Sequence, residues 1–298
     1  MLKRMEVFLI IAVFILITAV ILIIYSTQRE NEFKAHNLTT QSAIINGAAY
    51  AINLQLLEKH RHVSLLSSEY AQNLIQLYNN PTNYLLETEL NNRIKQRFSD
   101  FFTYTLTDIK GTPKLDNIES LVGHACQRDL NDYAKLINSG KGAVKNKIII
   151  HPQPFNYHYD IMAPLNTGKN NQSIFFVSFY LDEVMNILKT HELPGQKLIL
   201  VRQSDTSLIE ITSQGSRDKL KRDINLSRSE LDSIQEFKDI EGTDWRLINL
   251  SDANYVKNYI RGLWIEAAII ISLVSFALLI LSFFLLKVAN KRRYETSE

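Results

Sequence analysis

Two stretches of this chain stay apolar long enough to cross a bilayer, and between them the polar–apolar pattern passes from a helical period to a strand period. Val7–Tyr25 (VFLIIAVFILITAVILIIY) carries no charge over about 19 residues, roughly 28 Å as a helix, which matches the hydrocarbon core. It is longer than a signal-peptide core and no small-x-small cleavage site follows, so it reads as an uncleaved anchor. Ala267–Leu286 (AAIIISLVSFALLILSFFLL) is also uncharged. Trp264 stands at its leading edge, where an indole suits the interface, and Glu266 beside it is expected to reach outward to water.

From Ser26 to Tyr78 the apolar residues recur at helical spacing. Ile45, Ala48, Ile52, Leu56 and Leu57 begin a stripe that Val63, Leu66, Tyr70, Leu74 and Leu77 continue. The pattern predicts one long helix over 26–78, broken by Asn79-Asn80-Pro81, then a second helix over 82–98 with Leu85, Leu86, Leu90 and Ile94 on its apolar face. The period then changes. Phe101–Thr107 is aromatic and β-branched and reads as a strand that runs into an Asp108-Ile-Lys-Gly111 turn. Further strands are expected at 147–151, 158–164, 174–180, 197–203, 207–212 and 244–250, with helices at 129–137 and 181–189 and a partly helical polar stretch over 216–237. Short strands separated by turns and single helices predict an α+β fold: a long N-terminal helix packed on an antiparallel sheet, flanked by two transmembrane helices.

Charge sets the expected orientation. Lys3 and Arg4 precede the first apolar run, and Lys287, Lys291, Arg292 and Arg293 follow the second. The positive-inside rule places both ends in the cytoplasm and the intervening domain outside. The predicted organisation is a cytoplasmic N-terminus (1–6), a first transmembrane helix (7–25), an extracytoplasmic domain (26–262), a second transmembrane helix (265–286) and a cytoplasmic tail (287–298). The lipid bilayer is therefore an expected partner. A net charge of +2 and the lack of a basic run with interleaved aromatics argue against nucleic acid. The single cysteine, Cys126, admits no intrachain disulfide, so the outer domain is expected to fold by core packing.

Four segments, in this order, resemble the Cache-type sensor domains, the extracytoplasmic relatives of the PAS fold. Tyr104–Gly111 (YTLTDIKG) resembles their first strand and turn, and Tyr159–Leu165 (YDIMAPL) the strand ending in Ala-Pro. Phe175–Val184 (FFVSFYLDEV) resembles the last core strand entering its helix, and Thr243–Leu247 (TDWRL) the strand before the second membrane crossing. The resemblance implies a PAS-like unit over 99–190. The segment after Lys189 is too short for a second full unit and is expected to form a smaller membrane-proximal lobe over 195–255. It also implies a bacterial inner-membrane signalling protein with a periplasmic domain, of the kind found in chemoreceptors, histidine kinases and GGDEF-type diguanylate cyclases. No output module follows the second apolar run, so the chain is either a piece of a longer receptor or acts through a partner.

Pockets of such domains lie between the sheet and its covering loops. The richest polar and aromatic segment is His151–Asp160. Strand alternation puts Tyr157 and Tyr159 on one face and His158 and Asp160 on the other. Tyr104, Arg128, Tyr157, Tyr159 and Asp160 are the candidate ligand-binding residues, with Asp160 suited to an amine and Arg128 to a carboxylate. The Arg-x-x-Trp-Tyr pattern of amino-acid-binding Cache domains is absent, which weighs against amino acids as ligands. His124-Ala-Cys126 completes no metal set at recognisable spacing, and His60 and His62 point to different sides of a helix, so no metal is predicted. No Gly-x-Ser-x-Gly elbow, phosphate-binding loop or His-Glu-x-x-His appears, and neither catalytic residues nor a cofactor are assigned. The expectation is a signal-input protein that senses a small molecule and dimerises through its long helix. The rival is an assembly protein whose outer domain binds an envelope protein.

Overall fold

The computed structural model describes residues 4–115, 124–139, 148, 150–151, 157–168, 172–234 and 236–295. The chain forms two compact units, Met1–Thr40 with Asp252–Glu298, and Gln41–Ser251.

The first unit consists of the N-terminal part of helix α1 (Arg4–Glu69) and the C-terminal helix α7 (Ala253–Glu295). Both are long and apolar enough to cross a membrane. Both carry exposed apolar side chains, among them Phe8, Leu9 and Ile17 on α1 and Leu273, Phe276 and Phe283 on α7. Lipid solvates such a surface favourably; water does not. Its buried described positions, Ser26, Ala267 and Ser282, are small, as expected where helix backbones pack closely. Just outside the apolar stretches, Phe33 stacks on Tyr259 with centroids 3.9 Å apart, and the Trp264 indole N–H donates to Glu30 at 3.4 Å.

The second unit is α+β. The long helix ends at Glu69, not at Tyr78. Tyr70, at φ −102° and ψ 19°, separates it from α2 (Ala71–Asn79). The hydrogen bonds Tyr70 N–H to Leu66 C=O and Leu74 N–H to Tyr70 C=O carry through the break, so the buried stripe continues unbroken to Leu77. Helix α3 (Tyr84–Arg97) starts where the Asn83 side chain accepts from Leu86 N–H. The first sheet holds β1 (Phe101–Leu106), β2 (Ile150–His151), β3 (His158–Asn166) and β4 (Gln172–Tyr180) in the order β1-β4-β3-β2, antiparallel throughout. Helix α4 (His124–Asn138) begins five residues before the expected start at Asp129 and packs on β4. Helix α5 (Asp182–His191) leads into the second sheet.

That second sheet contains β5 (Gln196–Arg202), β6 (Ile209–Thr212), β7 (Gly215–Ser216), β8 (Phe237–Asp239) and β9 (Trp245–Ser251), in the order β7-β6-β5-β9-β8. It has five described strands against four in the first sheet, most of them short. Strands β7 and β8 span two and three residues, too short for an alternating pattern to reveal. Among the described residues, the polar stretch after β7 is helical only at a short 3₁₀ turn (Arg217–Lys219) and in α6 (Arg228–Asp232), which starts with a Ser227–Glu230 capping box.

A single core joins both sheets. The inner face of the first sheet (Tyr104, Tyr159, Ile161, Phe175, Phe179) and one face of the second (Leu198, Leu200, Trp245, Leu247) pack with the α1 stripe (Ile45, Ile52, Leu56, Val63). Tyr159 lies at the junction, 5.6 Å from the Phe179 ring and 6.0 Å edge-on from Trp245. Ile148 ties the two halves by main chain: its N–H donates to Gly242 and its C=O accepts from Asp244. The rest of the strand expected at 147–151 lies partly outside the described residues.

Candidate functional site

Alternation along β3 sends neighbouring side chains to opposite faces. Tyr159, Ile161, Ala163 and Leu165 enter the α1 core, while Met162 meets Leu130, Tyr133, Ile174 and Phe176 in a separate cluster beneath α4. Asp160 and His158 share the Met162 face. The cross-strand pairing sets Asp160 directly opposite Ser178, and His158 opposite Tyr180.

The α4 face therefore holds a buried polar group within an apolar layer. The Ser178 hydroxyl donates to Asp160 Oδ1 at 2.6 Å, and the Cys126 thiol donates to Asp160 Oδ2 at 3.0 Å. His158 Nε2 lies 3.7 Å from Asp160 Oδ1, and its ring packs on Phe102 with centroids 5.2 Å apart. Cys126, His158 and Asp160 are each at most 3% exposed. Burial, followed by the Asp160 carboxylate, pushes the Cys126 thiol far above its ordinary pKa. A carboxylate held in such a layer needs its hydrogen-bond donors, because an unpaired buried charge costs several kcal/mol, on the order of the desolvation penalty.

The Asp108 turn supports α4 from below. Asp108 Oδ1 accepts from the N–H groups of Lys110 and Thr112, and Gly111 adopts φ +90°. A Cβ at Gly111 would lie 2.6 Å from the Leu130 carbonyl oxygen, so glycine is required for α4 to approach this closely. The Gln127 side-chain amide donates to Gly111 C=O at 3.0 Å, fixing the first turns of α4 against the turn.

The five ligand-binding residues expected from sequence are distributed over both faces. Tyr104 is buried on the α1 side, and its hydroxyl donates to Glu87 C=O at 3.1 Å. Tyr159 is buried on the same side, and its hydroxyl has no hydrogen-bond partner among the described residues. Tyr157 is half-buried at the start of β3, with the Arg217 guanidinium 5.4 Å from its ring. Arg128 is exposed on α4. Asp160 alone of the five belongs to the α4-face group. Residues 152–156 of the His151–Asp160 segment, and the His124 side chain, lie outside the described residues. The sequence puts His158 and Asp160 on one strand face but gives no sign that Cys126 joins them. The His-x-Asp spacing on a strand was the available signal, whereas Cys126 arrives from a helix 34 positions before Asp160.

The α1 side carries a second buried polar group. Lys59 forms an ion pair with Asp100 and lies 2.8 Å from Glu183, with its ammonium 4.5 Å from the centre of the Phe179 ring. Gln55 and Ser99 also donate to Glu183. Burial pushes the Asp100 carboxyl up and Lys59 offsets this only in part. Burial acts against ionised Glu183 too, but Lys59, Ser99 and Gln55 together outweigh it and hold that carboxyl low. A groove of about 720 Å³ runs along α1 beside Ile148 and Gly242, lined by Tyr50, Leu54, Leu57 and Arg61.

The described architecture is thus a two-sheet α+β domain enclosed in sequence by two membrane-length helices. No protein-family model matches the chain, and no curated protein matches it. Among solved structures it is similar to the sensor domain of the Vibrio cholerae histidine kinase DctB, at 12% identity and a TM-score of 0.47, over 75% of this chain and 98% of that one. It is similar also to the ligand-binding domain of the Pseudomonas aeruginosa chemoreceptor PctC, solved with GABA, at 16% identity and 0.44, over 71% and 97%. A third is the sensory domain of the Campylobacter jejuni chemoreceptor Tlp3 with isoleucine bound, at 13% identity and 0.45, over 76% and 97%. These neighbours are sensor or ligand-binding domains of signalling receptors.

Proposed function

We propose that this chain is a two-pass inner-membrane signal-input protein whose outer domain recognises a small ligand on the α4 face of its first sheet, around Asp160. The observation that carries this reading is the buried Asp160 group itself. A charged, hydrogen-bonded carboxylate set in an apolar layer between a sheet and a single covering helix adds nothing to core packing that an apolar side chain would not, and it is suited to orienting a bound group. Both ends of the chain lie in the cytoplasm and the sheet domain in the periplasm, by the Lys and Arg bias at the apolar runs.

A homodimer through α1 is part of this reading. Tyr50, Leu54 and Leu57 form an exposed apolar stripe at helical spacing along the groove. A second copy of the same helix would cover it in an isologous contact. Signal output then passes to a cytoplasmic module or partner, with kinases, chemoreceptor-type modules and diguanylate cyclases as the candidate classes.

The test is a thermal-melt screen of the full chain in lipid nanodiscs against amino acids, carboxylates, polyamines and purines. A ligand of the native state at a hundred times its Kd adds about 2.7 kcal/mol. For a unit of this size that is about 6 °C. Loss of the shift in Asp160→Asn would place the ligand at this site. A cooperative melt that no compound moves would sink the small-molecule reading and favour an envelope-protein partner for the outer domain.

A further inference from the structure

We propose that Cys126, on the first turn of α4, and His158 and Asp160, on one face of β3, together form a binding site for a divalent transition metal ion of the zinc class. This deepens the reading above by naming the ligand class at the same site, and so depends on that reading's location of the site.

The donor atoms are already gathered. One donor atom from each of Cys126, His158 and Asp160 lies within 4.8 Å of the other two, with Sγ 3.0 Å from Asp160 Oδ2 and His158 Nε2 3.7 Å from Asp160 Oδ1. Ligands at zinc-like bond lengths of about 2.0–2.3 Å, placed at the corners of a tetrahedron, are roughly 3.5 Å apart. Small side-chain rotations therefore bring the three donors onto one ion. The donor chemistry points the same way. One thiolate, one imidazole and one carboxylate suit zinc and its neighbours, while calcium and magnesium take oxygen alone. Three protein donors leave a fourth position open to water or to an exogenous ligand.

The surroundings fit a metal better than the other uses of these residues. A nucleophilic cysteine needs the imidazole as its base, but the Cys126 thiol donates to Asp160 and not to His158. A redox switch needs a second thiol, and the chain has one. Ser178, donating to Asp160 Oδ1 at 2.6 Å, is placed to orient the carboxylate from outside the ligand set. On binding, the thiol proton leaves to solvent, and bonds from Sγ and Asp160 to the ion replace the hydrogen bond between them. The ion would then link α4 to β3 directly.

The single cysteine makes the test specific. The full chain in nanodiscs, with any affinity tag removed, is stripped with chelator and titrated with Co²⁺ under reducing conditions, then challenged with Zn²⁺. The expected result is one cobalt per chain, a thiolate-to-cobalt charge-transfer band in the near ultraviolet, tetrahedral d–d bands in the visible, and loss of all of these on adding Zn²⁺. Cys126→Ser should abolish the charge-transfer band, and Ser178→Ala should weaken binding about 10- to 100-fold with the band retained. A wild-type chain with no charge-transfer band overturns the proposal whatever the variants do. A band of equal strength in His158→Gln overturns this ligand set. If the wild-type chain takes up no cobalt yet shifts with an organic compound in the melt screen, the metal is refuted and the small-ligand reading stands. If neither metal nor compound binds, both fall.

Discussion

Lys59 is the charge whose removal has the best-defined consequence. Lys59→Met keeps the apolar stem and deletes the ammonium that neutralises Asp100 and Glu183. The Lys59 and Asp100 side chains are 4% and 2% exposed, so water cannot replace the lost partner. Breaking a buried pair from one side costs about 3–5 kcal/mol. In a unit of about 210 residues each kcal/mol moves the midpoint by about 2 °C, so the variant should melt roughly 7–11 °C lower at neutral pH. The pH dependence supplies the sharper check. Asp100 already has a raised carboxyl, so its ionisation costs stability as pH climbs from the ordinary aspartate range to the raised value. Without Lys59 that rise grows. Glu183 is held low in the intact chain, which contributes stability above the ordinary glutamate range that is lost on acidification, and the variant forfeits most of it. Both effects make the deficit largest at neutral pH and shrink it on acidification, Asp100 with its raised carboxyl taking up a proton first and Glu183, held low, only at the acid end. Melts of the two chains in nanodiscs from pH 4 to 8 measure it. A variant within about 2 °C of the intact chain at pH 7.5, or a deficit that does not shrink on acidification, would refute the buried-pair assignment. Lys59→Met with Asp100→Leu should recover most of the loss, since an apolar replacement of a whole buried pair is close to neutral.

Gly111→Ala should cost at least about 2 kcal/mol in a thermal melt, because φ +90° is strained for alanine and the new methyl meets the Leu130 carbonyl; a neutral substitution would mean that α4 does not rest on the turn. Tyr159→Phe removes a buried hydroxyl that has no partner among the described residues, so stability should hold or rise, by up to about 1 kcal/mol. A clear drop would show that the hydroxyl is satisfied in solution. Leu54→Glu with Leu57→Glu should leave the melt unchanged, since both side chains are exposed, but convert a dimer to a monomer by light scattering; an unchanged mass would exclude the α1 stripe as the interface.

The elements legible in the sequence were those with a sustained period. The apolar stripe from Ile45 through α1 and α2 to Leu77 is buried or partly buried as expected except at Leu57, which is exposed, and the strands β1, β3, β4, β5 and β9 stand within two residues of their expected positions. The Asp-x-x-Gly turn was readable because its chemistry is local: an Asx side chain capping two N–H groups and a glycine at positive φ. What periodicity could not carry was short or non-local. Strands β7 and β8 are shorter than one full alternation, and each exists because a longer neighbour pairs with it. The break at Tyr70 leaves the apolar stripe intact and so leaves no trace in the pattern. At the site, the His158–Asp160 face followed from strand geometry, but the partnership with Cys126 depends on how α4 lies across β3 and β4, a tertiary fact that no local window contains.

The same geometry bears on how a bound group could be felt elsewhere in this unit. Asp160 and Tyr159 are adjacent on β3 and face opposite ways, the one toward α4 and the other toward Phe179 and Trp245. Strand β3 cannot shift under Asp160 without moving Tyr159 in the common core. That core is fastened to α1 at several polar points: Ser67 donates to Pro164 C=O of β3 at 3.0 Å, Lys59 pairs with Asp100 at the entry to β1, and Asn53 accepts from Glu241 N–H of the second lobe at 3.0 Å. Two of these bonds tie α1 to the first sheet and its approach, and the third ties it to the second lobe, so a displacement of the first sheet would load the α1 contacts unequally. Energetic coupling of this kind is measurable by a double-mutant cycle. In melts without added ligand, Ser67→Ala combined with Asp160→Asn should change stability by an amount that differs from the sum of the single effects by at least about 0.5 kcal/mol. Strict additivity would mean that the α4 face and the α1 contacts respond independently, and that β3 is a support for the site and not the element that communicates its occupancy.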